Sequence, residues 1–179
     1  YHERLLTSPD AAKARAYLRS RGFDSETVRQ YRLGWAPDAW DELARSLKLQ
    51  RNVAPDGPSE QQQIAIDAGL VFANSRNRLT DVFRNRLLFP IFDPQGDAVG
   101  FGGRILPGAE GPKYKNSSQS AVYDKSKVLY GLNWAKAAIV AADEVIVCEG
   151  YTDVIGFARA GAPRAVATCG TALTEDHVR

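Results

Sequence analysis

The nine residues Val145 to Asp153 (Val-Ile-Val-Cys-Glu-Gly-Tyr-Thr-Asp) constrain this chain more than any other stretch. An apolar, β-branched run ends in an acid and a glycine, and a second acid follows four residues after the first. The pattern predicts a buried strand that delivers Glu149 to its C-terminal edge. A turn at Gly150 and a helix with Asp153 in its first turn should follow. In open α/β sheets, ligands gather at that edge. Two hard oxygen ligands aimed at one spot suit Mg²⁺ or Mn²⁺. The helix dipole by itself would account for Asp153. It would not account for Glu149, which is costly behind four apolar residues if buried and unpaired.

The flanking sequence sets the architecture. Helices are expected at Ala11 to Ser20 and at Ser25 to Gln30, the second capped by Ser25 or Asp24. A third is expected at Trp40 to Leu49, and a short one at Gln61 to Ala68, ended by Gly69. The periodicity then changes. Leu70 to Phe72, Leu87 to Phe92 and Ala98 to Phe101 read as strands, with a hairpin turn at Asp93-Pro94-Gln95-Gly96-Asp97. Gly108 to Ser120 reads as a polar loop. The last third alternates helix (129–142), strand to Glu149, helix (152–160), strand (165–168) and a new helix from Leu173. That alternation predicts a parallel sheet. The expected fold is an α+β N-terminal subdomain over 1–127, followed by the start of an α/β domain over 128–179.

Composition narrows the class. With 44% hydrophobic and 25% charged residues, the chain reads as a globular protein. No apolar run reaches membrane-spanning length, and Tyr1-His2-Glu3-Arg4 does not resemble a secretory leader. The two cysteines, Cys148 and Cys169, lie in apolar runs and read as buried thiols of a cytoplasmic protein. The absence of Met suggests a piece excised from a longer protein. Charge is unevenly spread. Residues 1–75 carry ten basic and ten acidic side chains. Residues 76–127 carry nine and five, and residues 128–179 carry four and six. A basic middle beside an acidic end suits a metal-dependent enzyme that handles a polyanion.

Several residues within that basic middle are candidates for contact with phosphates. Arg84 and Arg86 precede a strand, and taken alone they are better explained by a solvated strand entrance. Phe101-Gly102-Gly103-Arg104 lets backbone approach a phosphate while Arg104 forks onto it, although Gly-Gly is also an ordinary turn. Lys113, Tyr114 and Asn116 offer charge, a stacking face and an amide in one loop, and Lys125 extends the track. Cys169-Gly170-Thr171 is a second strand end able to hold an anion at a helix start.

Taken in order, six motifs resemble the RNA polymerase core of bacterial DnaG-type primases. They are Arg84-Asn85-Arg86 through Ile91, Gly100 to Arg104, Pro112 to Ser117, Leu129 to Leu132, Glu149 to Asp153, and Ala167 to Thr171. Arg21-Gly22-Phe23 and Leu33 to Pro37 fit the same family's N-terminal subdomain. The resemblance implies synthesis of short RNA primers on single-stranded DNA from ribonucleoside triphosphates. It also implies a toprim fold with Mg²⁺ or Mn²⁺, catalysis at Glu149 and metal ligation by Glu149 and Asp153. Arg21, Arg84, Arg86, Arg104, Lys113, Tyr114, Asn116 and Lys125 fall at or near positions linked to nucleic acid or nucleotide. The family's later Asp-x-Asp metal ligands, its upstream zinc module and its C-terminal helicase contact have no counterpart here. A fragment inactive by itself and monomeric is therefore expected. Another toprim enzyme, a nuclease or topoisomerase, and a non-catalytic single-strand-binding module remain the alternatives.

Overall fold

In the computed structural model, which describes residues 1–170 and 172–178, the N-terminal part is built on one antiparallel sheet. Strands β1 (Gly34–Ala36), β4 (Arg86–Phe92), β5 (Ala98–Ile105) and β6 (Tyr114–Asn116) lie in the order β1-β4-β5-β6. β4 is buried along its whole length. Its alternate side chains divide between two layers, as the strand period requires. Leu87, Phe89 and Ile91 join the main core with α1 (His2–Thr7), α2 (Ala12–Ser20) and α3 (Ser25–Gln30). Leu88 packs with Ala36 and Phe83 on the other face.

Local chemistry explains most boundaries. Asp24 caps α3, its carboxylate accepting the Thr27 N–H at 2.8 Å. The β4–β5 hairpin turns where predicted, and Asp93 Oδ1 accepts three successive backbone N–H groups from Gln95, Gly96 and Asp97. α5 (Glu60–Asp67) starts at a capping box between Ser59 and Gln62. The strands β2 (Val71–Ala73) and β3 (Leu79–Asp81) form a separate hairpin.

The structure differs from expectation at several places. The third helix is only α4 (Glu42–Ser46), and Trp40, read as part of its apolar face, is 62% exposed. The helix starts where Asp81 accepts the Leu43 and Ala44 N–H groups at 2.7 and 3.1 Å, a partner distant in sequence. The polar loop 108–120 contains β6, an edge strand that needs only backbone pairing with Gly102 to Arg104. Leu129–Tyr130 is not helical but a short strand, β7, paired antiparallel to β9 (Ala165–Thr168). Helix α6 (Leu132–Ala142) begins only after Gly131. That residue has φ +90°, and a Cβ there would come within 2.7 Å of Val154.

The last sheet has the order β7-β9-β8, with β8 (Ile146–Cys148) parallel to β9 and linked to it through α7 (Tyr151–Arg159). It is therefore mixed rather than wholly parallel. The run before Glu149 is not the buried strand expected: Val145 and Val147 are 47% and 45% exposed. α6 and α7 pack on β9, the central strand, and β8 lies at the edge. A short helix, α8 (Glu175–Val178), follows. One apolar cluster runs from Leu5 through Phe89 to Tyr151 and Cys169, so the two sheets share a core. Among the described residues, no helix is long and apolar enough to cross a membrane.

Asp81 links the β2–β3 hairpin to α4, and burial raises its carboxyl above the ordinary range despite those two N–H bonds. The folded state therefore holds this proton more tightly than the unfolded state. The group's contribution is fully present below the ordinary carboxylate pKa and is lost as pH rises through the raised value. Urea unfolding on both sides of that window should show the slope in the native chain and not in Asp81→Asn. Asp81→Ala, which strands one buried and one part-buried N–H group, should cost about 1–3 kcal/mol.

Candidate functional site

The strand ends of the last sheet and the free edge of the first one converge on a cleft of about 590 Å³. Arg104, Lys113, Tyr114 and Asn116 line one wall. Glu149, Asp153, Thr168 and Gly170 line the other. Basic and acidic residues separated by more than thirty positions thus face one volume, as a site for a polyanion and a cation requires. Thr171, read with Cys169 and Gly170 as an anion-binding turn, lies outside the described residues.

Glu149 directly follows β8. It is exposed and makes no hydrogen bond or ion pair with the described residues. Its carboxylate therefore takes no part in the bonding among the described residues. Asp153 is committed in part: Oδ2 accepts the Gly150 N–H at 3.1 Å and closes the start of α7. This is the helix-start role anticipated for it, and Oδ1 is left for another partner. Among the described residues there is no group of three His, Cys, Asp or Glu side chains that could hold a metal. Two hard carboxylates on one cleft still fit a hard divalent cation as part of its ligand set. The thiols do not. Burial pushes Cys148 up to about 11, the Asp153 charge adds to this, and burial also raises Cys169, so both stay protonated.

Arg104 leaves β5 toward the cleft and is held by two tyrosines. Its guanidinium carbon lies 5.4 Å from the ring centres of both Tyr17 and Tyr114, and Nη1 donates to the Tyr114 hydroxyl at 2.8 Å. A planar cation gripped in this way is pre-oriented for a phosphate. Asn116 Nδ2 donates to the Cys169 carbonyl at 3.0 Å, and its Oδ1 accepts from the Tyr151 hydroxyl at 2.9 Å. Burial holds that hydroxyl far above its ordinary pKa, so it remains a donor.

The other basic candidates lie away from the cleft lining. Arg86 is buried and donates to the carbonyls of Gly103 and Pro112, at 3.2 and 2.9 Å, tying down the segment that leads into β6. Arg84 lies flat on Trp40, 3.4 Å from the ring centre. That tryptophan opens on a second hollow with Arg51, Asn74, Arg76 and Arg78. Arg21 is exposed at the end of α2. The Lys125 carbonyl lies 3.0 Å from His177 Nε2, joining its loop to α8. Tyr17 and Tyr151 were missed as site residues. Tyr17 carries no sequence signal, since it is one of seven tyrosines and lies in none of the motifs. Tyr151 sits inside the Glu149 to Asp153 motif, whose reading rests on the two acids and the glycine and gives the tyrosine no role.

Comparison with known proteins follows this geometry. The family described as "DNA primase catalytic core, N-terminal domain" matches residues 1–136, and "Toprim domain" matches 143–179. A DNA primase of Streptomyces coelicolor is 43% identical over 180 aligned residues, covering all of this chain and 27% of that protein. The crystal structure of a DNA primase domain from Pseudomonas aeruginosa superposes with a TM-score of 0.88 at 41% identity, over 99% of this chain and 53% of that one. A structure of the DnaG primase catalytic domain bound to ssDNA gives a TM-score of 0.85 at 38% identity, over 99% and 54% respectively. The chain thus spans under a third of that curated relative and about half of those solved chains.

Because the Glu149 carboxylate has no partner among the described residues, Glu149→Gln should leave unfolding free energy within about 0.5 kcal/mol. Asn116→Ala removes two internal bonds and should cost about 1–3 kcal/mol. Paired denaturant titrations would check both values.

Proposed function

The chain belongs to the bacterial DNA primase family, as the first part of its catalytic core, and from that premise we propose that it supplies the basic wall and the first carboxylates of a site that joins ribonucleotides on single-stranded DNA. One observation carries this reading: the facing of Arg104, Lys113 and Tyr114 with Glu149 and Asp153 across a single cleft. The relative bound to ssDNA supports the template class. The toprim match implies divalent metal use in general; Mg²⁺ or Mn²⁺ is the proposal for this chain, held in part by Glu149 and by the free oxygen of Asp153.

Each residue then has a chemical task. Arg104, fixed by its two tyrosines, takes phosphate oxygens with a planar fork and little loss of side-chain freedom. Lys113 adds a mobile charge, and the 37%-exposed Tyr114 ring offers a stacking face beside it. Glu149, unpaired at the opposite wall, is the group best placed to act near the hydroxyl that attacks. A bound divalent ion supplies charge neutralisation on the phosphates and a more acidic attacking hydroxyl. The α+β unit over 1–127 and the toprim start at 128 belong to this proposal, as does monomeric action. The helicase contact is proposed to lie outside this chain.

Labelled ribonucleotide incorporation on single-stranded DNA tests the reading, using the full-length protein that carries this chain. Short RNA products are expected, and Glu149→Gln should lower their rate by at least about 100-fold. Template cleavage without synthesis would instead assign the site to a nuclease. Single-strand binding should weaken steeply with salt. Lys113→Ala should reduce the slope of log K against log salt by about one contact.

A further inference from the structure

Asn116 ends β6 opposite Gly102, and both halves of its amide are committed inside the protein. The Tyr151 hydroxyl donates to its Oδ1 at 2.9 Å, and its Nδ2 donates to the Cys169 carbonyl at 3.0 Å. Tyr151 is the second residue after Glu149 and opens α7. Cys169 is the first residue after β9. One amide on the basic sheet therefore ties together the C-terminal ends of both parallel strands of the other sheet.

The surroundings are fitted to this contact. A Cβ on Gly102 would lie 2.2 Å from Tyr151 Cε2, and one on Gly170 would lie 2.5 Å from Asn116 Nδ2. Both glycines leave out the side chain at the point where the latch passes. The Tyr151 ring is 4% exposed, stacked on Phe89 with centroids 5.5 Å apart and edge-on to Tyr130 at 4.7 Å. The packed ring fixes where its hydroxyl oxygen lies. An amide with its acceptor and one donor already used presents little to a phosphate or a base.

We propose that Asn116 and Tyr151 are positioning residues, forming a latch that sets the basic wall in register with Glu149. Lys113 lies three residues before Asn116, and Glu149 lies two before Tyr151. Slack in the latch therefore shifts the two charged walls relative to each other without removing either charge. The activity readout rests on the function proposed above; the existence of the latch does not. Displacement of about 1 Å at a reacting centre costs roughly 100-fold in rate. Loss of one hydroxyl, with the ring packing kept, should cost about tenfold.

The test compares the full-length protein with Tyr151→Phe, Asn116→Ala and the double variant, by primer-synthesis kinetics, template affinity and amide hydrogen exchange. Tyr151→Phe is decisive because it retains the stack on Phe89. It should lower kcat about tenfold and leave KM for nucleotide and template Kd within about twofold. The double variant should be no slower than Asn116→Ala alone, the signature of one shared interaction. Exchange should accelerate at residues 114–116 and 150–152. Native kinetics in Tyr151→Phe, or additive losses in the double variant, would overturn the latch and leave Asn116 acting on substrate directly. If the unmodified protein makes no RNA, the proposed function fails, and the exchange experiment alone then decides the latch.

Discussion

An aromatic seam joins the two sheets, and the rest of the arrangement depends on it. Tyr151 stacks on Phe89 of β4, meets Tyr130 edge-on, and occupies the space over β5 that Gly102 leaves empty. Large rings bury much apolar surface each, and these come from three separate stretches of chain. The seam makes the core continuous from Leu5 to Cys169, so the orientation of the second sheet is not left to a linker. A side chain on Gly102 would collide with the Tyr151 ring, and the cleft would lose the relation between its walls.

The cleft separates charge in a way neither half could manage by itself. Cationic groups sit on and beside the outer strands β5 and β6 of an antiparallel sheet, whose pairing is by backbone and leaves side chains free to point outward. Carboxylates sit at the ends of strands in a mixed sheet, where a turn and a helix start expose them. Arg104 is pre-oriented by two rings, and Glu149 has no partner among the described residues. One wall thus holds a pre-oriented cation and the other an uncommitted acid, a combination suited to binding a phosphate chain while leaving that acid available for chemistry.

Several basic residues serve the fold rather than this cleft. Arg86 bonds two carbonyls from inside the protein. Lys115 donates to the Val82 carbonyl at 2.7 Å, and burial lowers its pKa, with the charges of Arg86 and Arg84 adding to the effect. The excess of positive charge in the middle of the chain therefore overstates the charge facing the cleft. Some of it anchors the segment that leads into β6 and so helps to shape the wall.

The sequence by itself determined the elements whose signals are local. The start of α3 at Asp24 or Ser25, the Asp93 to Asp97 hairpin and the strand–Glu149–Gly150–helix turn all follow from residues within a few positions of each other, and the order of motifs placed the chain in its family. Tertiary structure alone decided what depends on distant partners. β6 is a strand because β5 offers it an edge. Leu129 and Tyr130 are extended because β9 pairs with them. Trp40 is outside its helix because Asp81, about forty residues away, fixes where α4 begins. The pairing of Asn116 with Tyr151 and Cys169 belongs to the same class: hydrogen bonds across 35 and 53 residues leave no periodicity in the sequence to read.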